Sequence, residues 1–143
     1  MLIEERPADD EALSGLVAAA FAELVAKYGP EGRSGVHPEA GFLVAVTGGR
    51  AVGCGAVQPV DAATGELKRM YVVPDHRGRG VARSLLKALE DLARARGHAV
   101  LRLATGHLQP EAINLYRSSG YEPIPPYGKY VNVPTTFCFA KVL

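Results

Sequence analysis

A chain of 143 residues with 48% apolar and 22% charged residues has the composition of one globular domain, 1–143, with a single core. Disorder, collagen and coiled coil are excluded, and a chain this long buries about 68–70% of its unfolded surface with no need of a disulfide or metal. A net charge of +1 argues against nucleic acid, and no apolar run nears the ~18 residues that span a bilayer, so no membrane association is expected.

Leu2 to Arg6 is short and half apolar, and Pro7 with Asp9-Asp10-Glu11 reads as strand, break and acidic helix start. The same opening lacks the basic-then-apolar order of a signal peptide, so the expected location is cytoplasmic. Leu13, Val17, Ala20, Phe21, Leu24 and Tyr28 recur at three- and four-residue spacing, predicting an amphipathic helix that ends before Gly29-Pro30. Residues 29–41 carry no period and read as a surface loop. Phe42–Thr47 and Arg50–Pro59 flank Gly48-Gly49, a hairpin signature, and a third strand follows over Gly65–Val73. Val81, Leu85, Leu89 and Leu92 trace one face of a helix from Gly80 to Arg96, closed by Gly97. Ala99–Thr105 is a strand, Pro110–Ser119 a short helix, and Tyr121–Ile124 and Thr135–Val142 close the chain as β runs.

The order β-α-loop-β-β-β-α-β-α-β-β contains one strand–helix–strand unit over residues 65–105, whose two strands should be parallel. The expected fold is α/β of the α+β kind: a mixed, mostly antiparallel sheet with a central βαβ unit and flanking helices. Charge is uneven along it. Residues 1–40 hold eight acids against three bases, whereas 77–96 hold Arg77, Arg79, Arg83, Lys87, Arg94 and Arg96 against Glu90 and Asp91. One end suits a cation and the middle an anion. Cys54 and Cys138 lie in apolar strand-like runs without metal-ligand spacing and read as buried thiols. The four histidines are scattered, and no metal is expected.

The most specific segment is Arg77-Gly78-Arg79-Gly80-Val81-Ala82, between a strand and the long helix. Glycines there allow close backbone approach, and the first N–H groups of the helix have no internal partner, which makes an anion site. A Walker A loop fails because Val81-Ala82 follows Gly80 where Lys-Ser/Thr is required. A dinucleotide fingerprint is weakened by Arg83 at its third glycine position. The remaining pattern, Arg/Gln-x-x-Gly-x-Gly/Ala, is met by Arg77, Gly80 and Ala82. With Leu67–Pro74 before it, and Ala112-Ile113-Asn114-Leu115-Tyr116 and Ser119-Gly120-Tyr121 after it, the sequence resembles the GNAT superfamily of acyl-CoA-dependent N-acyltransferases from Phe42 to Tyr121.

That resemblance implies a six- or seven-stranded GNAT fold with acetyl-CoA as co-substrate. Met70, Tyr71 and Val72 would hold the pantetheine arm, and Arg77, Gly78, Arg79, Gly80, Val81, Ala82 and Arg83 the pyrophosphate. It implies Tyr116 as proton donor to the departing thiolate, with a core tyrosine as the plainer reading. Glu66, six residues before Val72, stands where some members keep a general base. Strand alternation puts it on one face with Lys68, Met70 and Val72, and the plainer reading is an exposed acid paired with Lys68 or Arg69. Gln109 stands where the family often has Asn, which puts that cofactor contact in doubt, and Asn114 is an alternative amide. The family's acceptor groove implies walls at 24–40 and 123–134, with Tyr127 and Tyr130 facing a cationic or amphipathic amine. A hydrophobic cover or a homodimer contact is the alternative for this pair. The expected activity is acetylation of a primary amine on a small-molecule or amino-acid-like acceptor, by direct attack in a ternary complex. Acetylation of a protein N-terminus or lysine, and a non-catalytic CoA-binding sensor, remain alternatives.

Overall fold

The computed structural model describes residues 1–30 and 35–143, so part of the loop expected at 29–41, with Glu31 and Arg33, lies outside the described residues. The strands are β1 (Leu2–Arg6), β2 (Gly41–Thr47), β3 (Arg50–Pro59), β4 (Thr64–Val72), β5 (Val100–Gly106), β6 (Glu122–Ile124) and β7 (Thr136–Val142). The helices are α1 (Glu11–Tyr28), α2 (Val81–Ala95) and α3 (Pro110–Ser118). Each element falls within a residue or two of its sequence expectation.

The strands form one seven-stranded sheet in the order β1-β2-β3-β4-β5-β7-β6. Every pairing is antiparallel except β4 with β5, the two strands joined through α2. Gly48 and Gly49 turn the β2–β3 hairpin at φ 57° and 78°, left-handed values that the tightest hairpin turns require at both central residues. α1 starts on Asp10, whose carboxylate accepts the Leu13 N–H at 3.0 Å and pairs with Arg6 at 3.1 Å.

The sheet separates two cores. On one face, Val81, Leu85, Leu86, Leu89 and Ala93 of α2 pack with Leu43, Val52, Val57, Leu101, Leu103, Tyr116 and Phe139. On the other, Leu13 and Leu16 of α1 cover Phe42, Val44, Cys54 and Ala56. Each large apolar side chain so buried contributes about 1.5–3 kcal/mol. Cys54 and Cys138 are free and buried, and burial pushes the Cys54 thiol up to about 12. α2 also buries Glu90, a residue periodicity would place outside. Its carboxylate accepts the Tyr121 hydroxyl at 2.9 Å and pairs with Lys141 at 3.1 Å, which ties α2, the segment after α3, and β7 together.

Candidate active site

The site begins where β4 stops following its neighbours. On β3, Cys54 pairs with Tyr71 and Ala56 with Lys68, so two steps on β3 face three on β4. The extra residue is a bulge at Arg69, which takes φ 60°, a left-handed value uncommon outside glycine. A bulge bends its strand, and β4 leaves β5 here. The two pair only over Thr64–Glu66 and Val100–Arg102, although they run on to Val72 and Gly106. The space between them is a groove of about 1450 Å³, floored by the parted strands and flanked by α1, α3 and the segment around Tyr130.

The bulge overturns one expectation from strand alternation. Glu66 and Lys68 do not share a face with Met70 and Val72. Glu66, Lys68 and Tyr71 pair with Gln58, Ala56 and Cys54, and Cys54 and Ala56 belong to the α1-side core. Leu67, Met70 and Val72 pack on the α2 side. One extra residue inverts every later side chain of a period-two strand.

At the far end of the groove, Gly78 and Gly80 adopt φ 75° and 82° immediately before α2. A Cβ at either would meet nothing within 4 Å, so the space outside the turn is open to a ligand. Helix termini leave their first N–H groups unpaired, and the dipole there favours an anion by about 0.3–1 kcal/mol. Gly78, Gly80, Val81, Ala82 and Arg83 line the groove, as do Met70, Tyr71, Val72 and Arg77. Gln109 and Asn114, on the opposite wall, join them. Arg79 is exposed and is not among the lining residues.

Two of the lining arginines, Arg77 and Arg83, hold the turn and the start of α2 to their neighbours. Arg77 donates from Nε to the Val72 carbonyl at 2.9 Å and from its terminal nitrogen to Glu23 at 2.7 Å, and its guanidinium lies 5.5 Å from the Tyr71 ring centroid. It thereby ties the turn to β4 and α1, and holds the Glu23 carboxyl below the usual carboxylate range. Arg83 donates to the Ser118 and Ser119 hydroxyls at 2.9 and 3.2 Å, tying the start of α2 to the end of α3.

Tyr116, from α3, lines the groove and is buried, with its ring edge-on to Tyr121 at 5.7 Å. Burial pushes its phenol up, so it stays protonated through the neutral range and can act only as a proton donor there. Glu66 is buried and sits outside the groove lining. Its carboxylate accepts from Arg102 Nε at 3.1 Å and lies 3.5 Å from Lys68 Nζ. The Arg102 guanidinium in turn lies 3.8 Å from the Tyr127 ring centroid. Tyr127 is therefore part of this ion cluster, its hydroxyl buried without a hydrogen-bond partner among the described residues. Tyr130, edge-on to Tyr127 at 5.6 Å, is the tyrosine of the pair that lines the groove.

On the α1 side the wall carries Phe21, Leu24, Lys27 and Tyr28. The Tyr28 hydroxyl accepts the Leu108 N–H at 2.9 Å and so bridges α1 to the segment after β5. The described acids of the first 40 residues do not make this wall negative. Glu4 and Asp10 pair with Arg6, and Glu23 with Arg77 and Lys27. Among the described residues, the charged lining is Lys27, Lys68, Arg69, Arg77, Arg83 and Lys129 against Glu23 and Glu111. Sequence reasoning missed Lys68, Arg69 and Lys129. Only the bulge and the chain return at Tyr130 bring them together, and no Gly or Pro in Leu67–Tyr71 announces the bulge.

The sequence model of the Acetyltransferase (GNAT) family matches residues 11–121. An IAA acetyltransferase of Azospirillum brasilense is 42% identical over 107 residues, covering 74% of this chain and 70% of that one. N-acetyltransferase 8 of Mus musculus is 40% identical over 87 residues, 57% of this chain but only 38% of that longer relative. An acyl-CoA N-acyltransferase from Klebsiella pneumoniae superposes with a TM-score of 0.87 at 33% identity, covering 99% of this chain and 97% of the other.

Proposed function

Since the chain belongs to the GNAT family and is an acetyl-CoA-dependent N-acetyltransferase, we propose that it acetylates the primary amine of a small-molecule acceptor by direct attack within a ternary complex. The observation that carries this reading is the groove opened by the parting of β4 and β5, with a left-handed glycine turn and helix start at one end and Tyr116 on its lining. The residues present suit the acyl donor. The N–H groups at Gly80, Val81 and Ala82 take the pyrophosphate, which the open space around Gly78 and Gly80 admits. The β4 edge at Met70–Val72, unpaired by β5, takes the pantetheine amides as an added strand would. Gln109 and Asn114 offer amides from the α3 side.

The amine attacks neutral, having lost its extra proton to solvent. A nitrogen–carbon bond forms, the carbon–sulfur bond breaks, and the carbonyl oxygen regains its double bond. The thiolate takes a proton from Tyr116, which is reprotonated from solvent, and the amide nitrogen releases one proton. Burial keeps the phenol protonated at neutral pH, so the proton is in place when the thiolate forms. Arg77 holds the turn in place through Val72 and Glu23, and Tyr130 and Phe21 enclose the acceptor.

The test is thiol release from acetyl-CoA across small amines, amino acids, peptides and no acceptor. Amine-dependent release with N-acetylated product by mass spectrometry is expected. Release restricted to peptide or protein substrates overturns the small-molecule reading, and tight CoA binding without any transfer makes the protein a CoA-binding sensor.

A further inference from the structure

Resting on the proposed small-molecule N-acetyl transfer, we propose that Tyr28 is a specificity-determining residue: its ring bounds the acceptor half of the groove and limits the bulk of the apolar group that the amine carries. The glycine turn opens α2, and Tyr116 packs in the α2-side core. The acyl donor therefore occupies that side of the sheet, and the amine reaches the thioester from the α1 side. There, α1 crosses the gap between the parted strands and is bonded beyond each of them. Glu23 accepts from Arg77, after β4, at 2.7 Å, and the Tyr28 hydroxyl accepts from the Leu108 N–H, after β5, at 2.9 Å. Five helical residues separate these anchors, an advance of about 7–8 Å, more than the ~4.8 Å between paired strands.

The floor on this side is made by small residues. Leu101 and Leu103 of β5 face the α2-side core, so alternation turns Ala104 and Gly106 toward α1, and both line the groove. The Tyr28 ring occupies the space that Gly106 leaves. A Cβ at Gly106 would overlap the Tyr28 hydroxyl and the ring carbon that bears it, so the ring lies against β5 only because this residue is glycine. The bond from Leu108 fixes its tip, and the His107 ring stands edge-on at 6.2 Å. A ring held in this way rejects a larger group by overlap, where a loosely held side chain would swing aside. Leu24 from α1 and Tyr130 and Val133 from the facing segment make the lining beside Tyr28 apolar, which suits a compact aliphatic or single-ring group behind the amine. The bonds made and broken are those of the proposed transfer.

The experiment uses benzylamine and 2-naphthylmethylamine, which share the amine and its stem and differ by one fused ring. Wild type should acetylate benzylamine with kcat/KM at least tenfold above 2-naphthylmethylamine. Tyr28→Ala and Tyr28→Leu should each bring that ratio toward one with the KM for acetyl-CoA unchanged, and Tyr28→Phe, which keeps the ring, should retain it. Leucine preserves apolar contact and helix propensity, so it serves should alanine lose the fold, and circular dichroism reports which variants are folded. Binding is read separately, as the rise in Tm that each amine gives the CoA-saturated protein. 2-Naphthylmethylamine should stabilise Tyr28→Ala or Tyr28→Leu more than wild type. A ratio and a Tm rise unchanged in a folded Ala or Leu variant overturn the proposal, as does a Tyr28→Phe ratio that collapses equally, since the Leu108 bond and not the ring would then be responsible. Absence of transfer to either amine, with the selective Tm rise still present, would sink the small-molecule transfer reading and keep the size limit. Absence of both transfer and stabilisation in every variant overturns the proposal as well.

Discussion

Gly80→Val tests the pyrophosphate turn, because the structure supplies a matched control for the strain it introduces. Gly80 at φ 82° opens α2, and Gly97 at φ 86° lies just beyond its other end. A Cβ at either meets nothing within 4 Å, so the cost of a side chain there is chiefly conformational, about 1–3 kcal/mol at each. Unfolding entropy of about 2.1 cal/mol/K per residue over 143 residues is ~0.3 kcal/mol/K, which converts that cost into a Tm decrease of about 3–10 °C. Gly80→Val and Gly97→Val should therefore lose similar stability by scanning calorimetry. Only Gly80→Val should lose CoA affinity, by tenfold or more in isothermal titration, since only there does a side chain and a shifted backbone stand against the ligand. Equal Tm losses with CoA affinity kept within threefold in both variants would refute the assignment of the turn to the cofactor.

Tyr116→Phe keeps the ring and removes only the proton, so turnover should fall about 10²–10⁴-fold with the acetyl-CoA dissociation constant nearly unchanged, and an unimpaired rate removes its role as acid. Glu66→Gln removes the buried charge that pairs with Lys68 and Arg102, which should cost about 3 kcal/mol and a Tm decrease near 10 °C, with the acid limb of the pH–rate profile retained. Loss of that limb at unchanged Tm would make Glu66 the general base instead. The Glu23 carboxyl, depressed chiefly by its hydrogen bond from Arg77, contributes stability that is present above its ordinary pKa of 4.5 and lost as pH falls through the lower folded-state value. Glu23→Gln should thus lower Tm at pH 7, by a difference that shrinks as pH falls below 4.5 and through the lowered folded-state value, and a Tm difference independent of pH would mean the pair contributes through packing.

Local rules carried the element order, because apolar period, glycine punctuation and the Gly48-Gly49 turn act within a few residues of one another. They also located the Gly78–Gly80 turn before α2, since a strand followed by glycines and then a helix defines an anion site from the backbone alone. The family motifs, read with that turn, brought Tyr116 to attention, and the structure places Tyr116 on the same groove. Two features were beyond any local pattern. The bulge at Arg69 has no glycine or proline to mark it and is imposed by the pairing of β4 with β3, so the side of the sheet on which Lys68, Met70 and Val72 fall was decided by tertiary pairing. Charge partners were likewise invisible: residues separated by 54 positions, Glu23 and Arg77, neutralise each other, and Glu66 meets Arg102 across the one parallel pairing. Among the described residues, the acidic start of the chain thus does not make the groove lining acidic, because electrostatic environment depends on which charges meet in space, a property the order of residues does not contain.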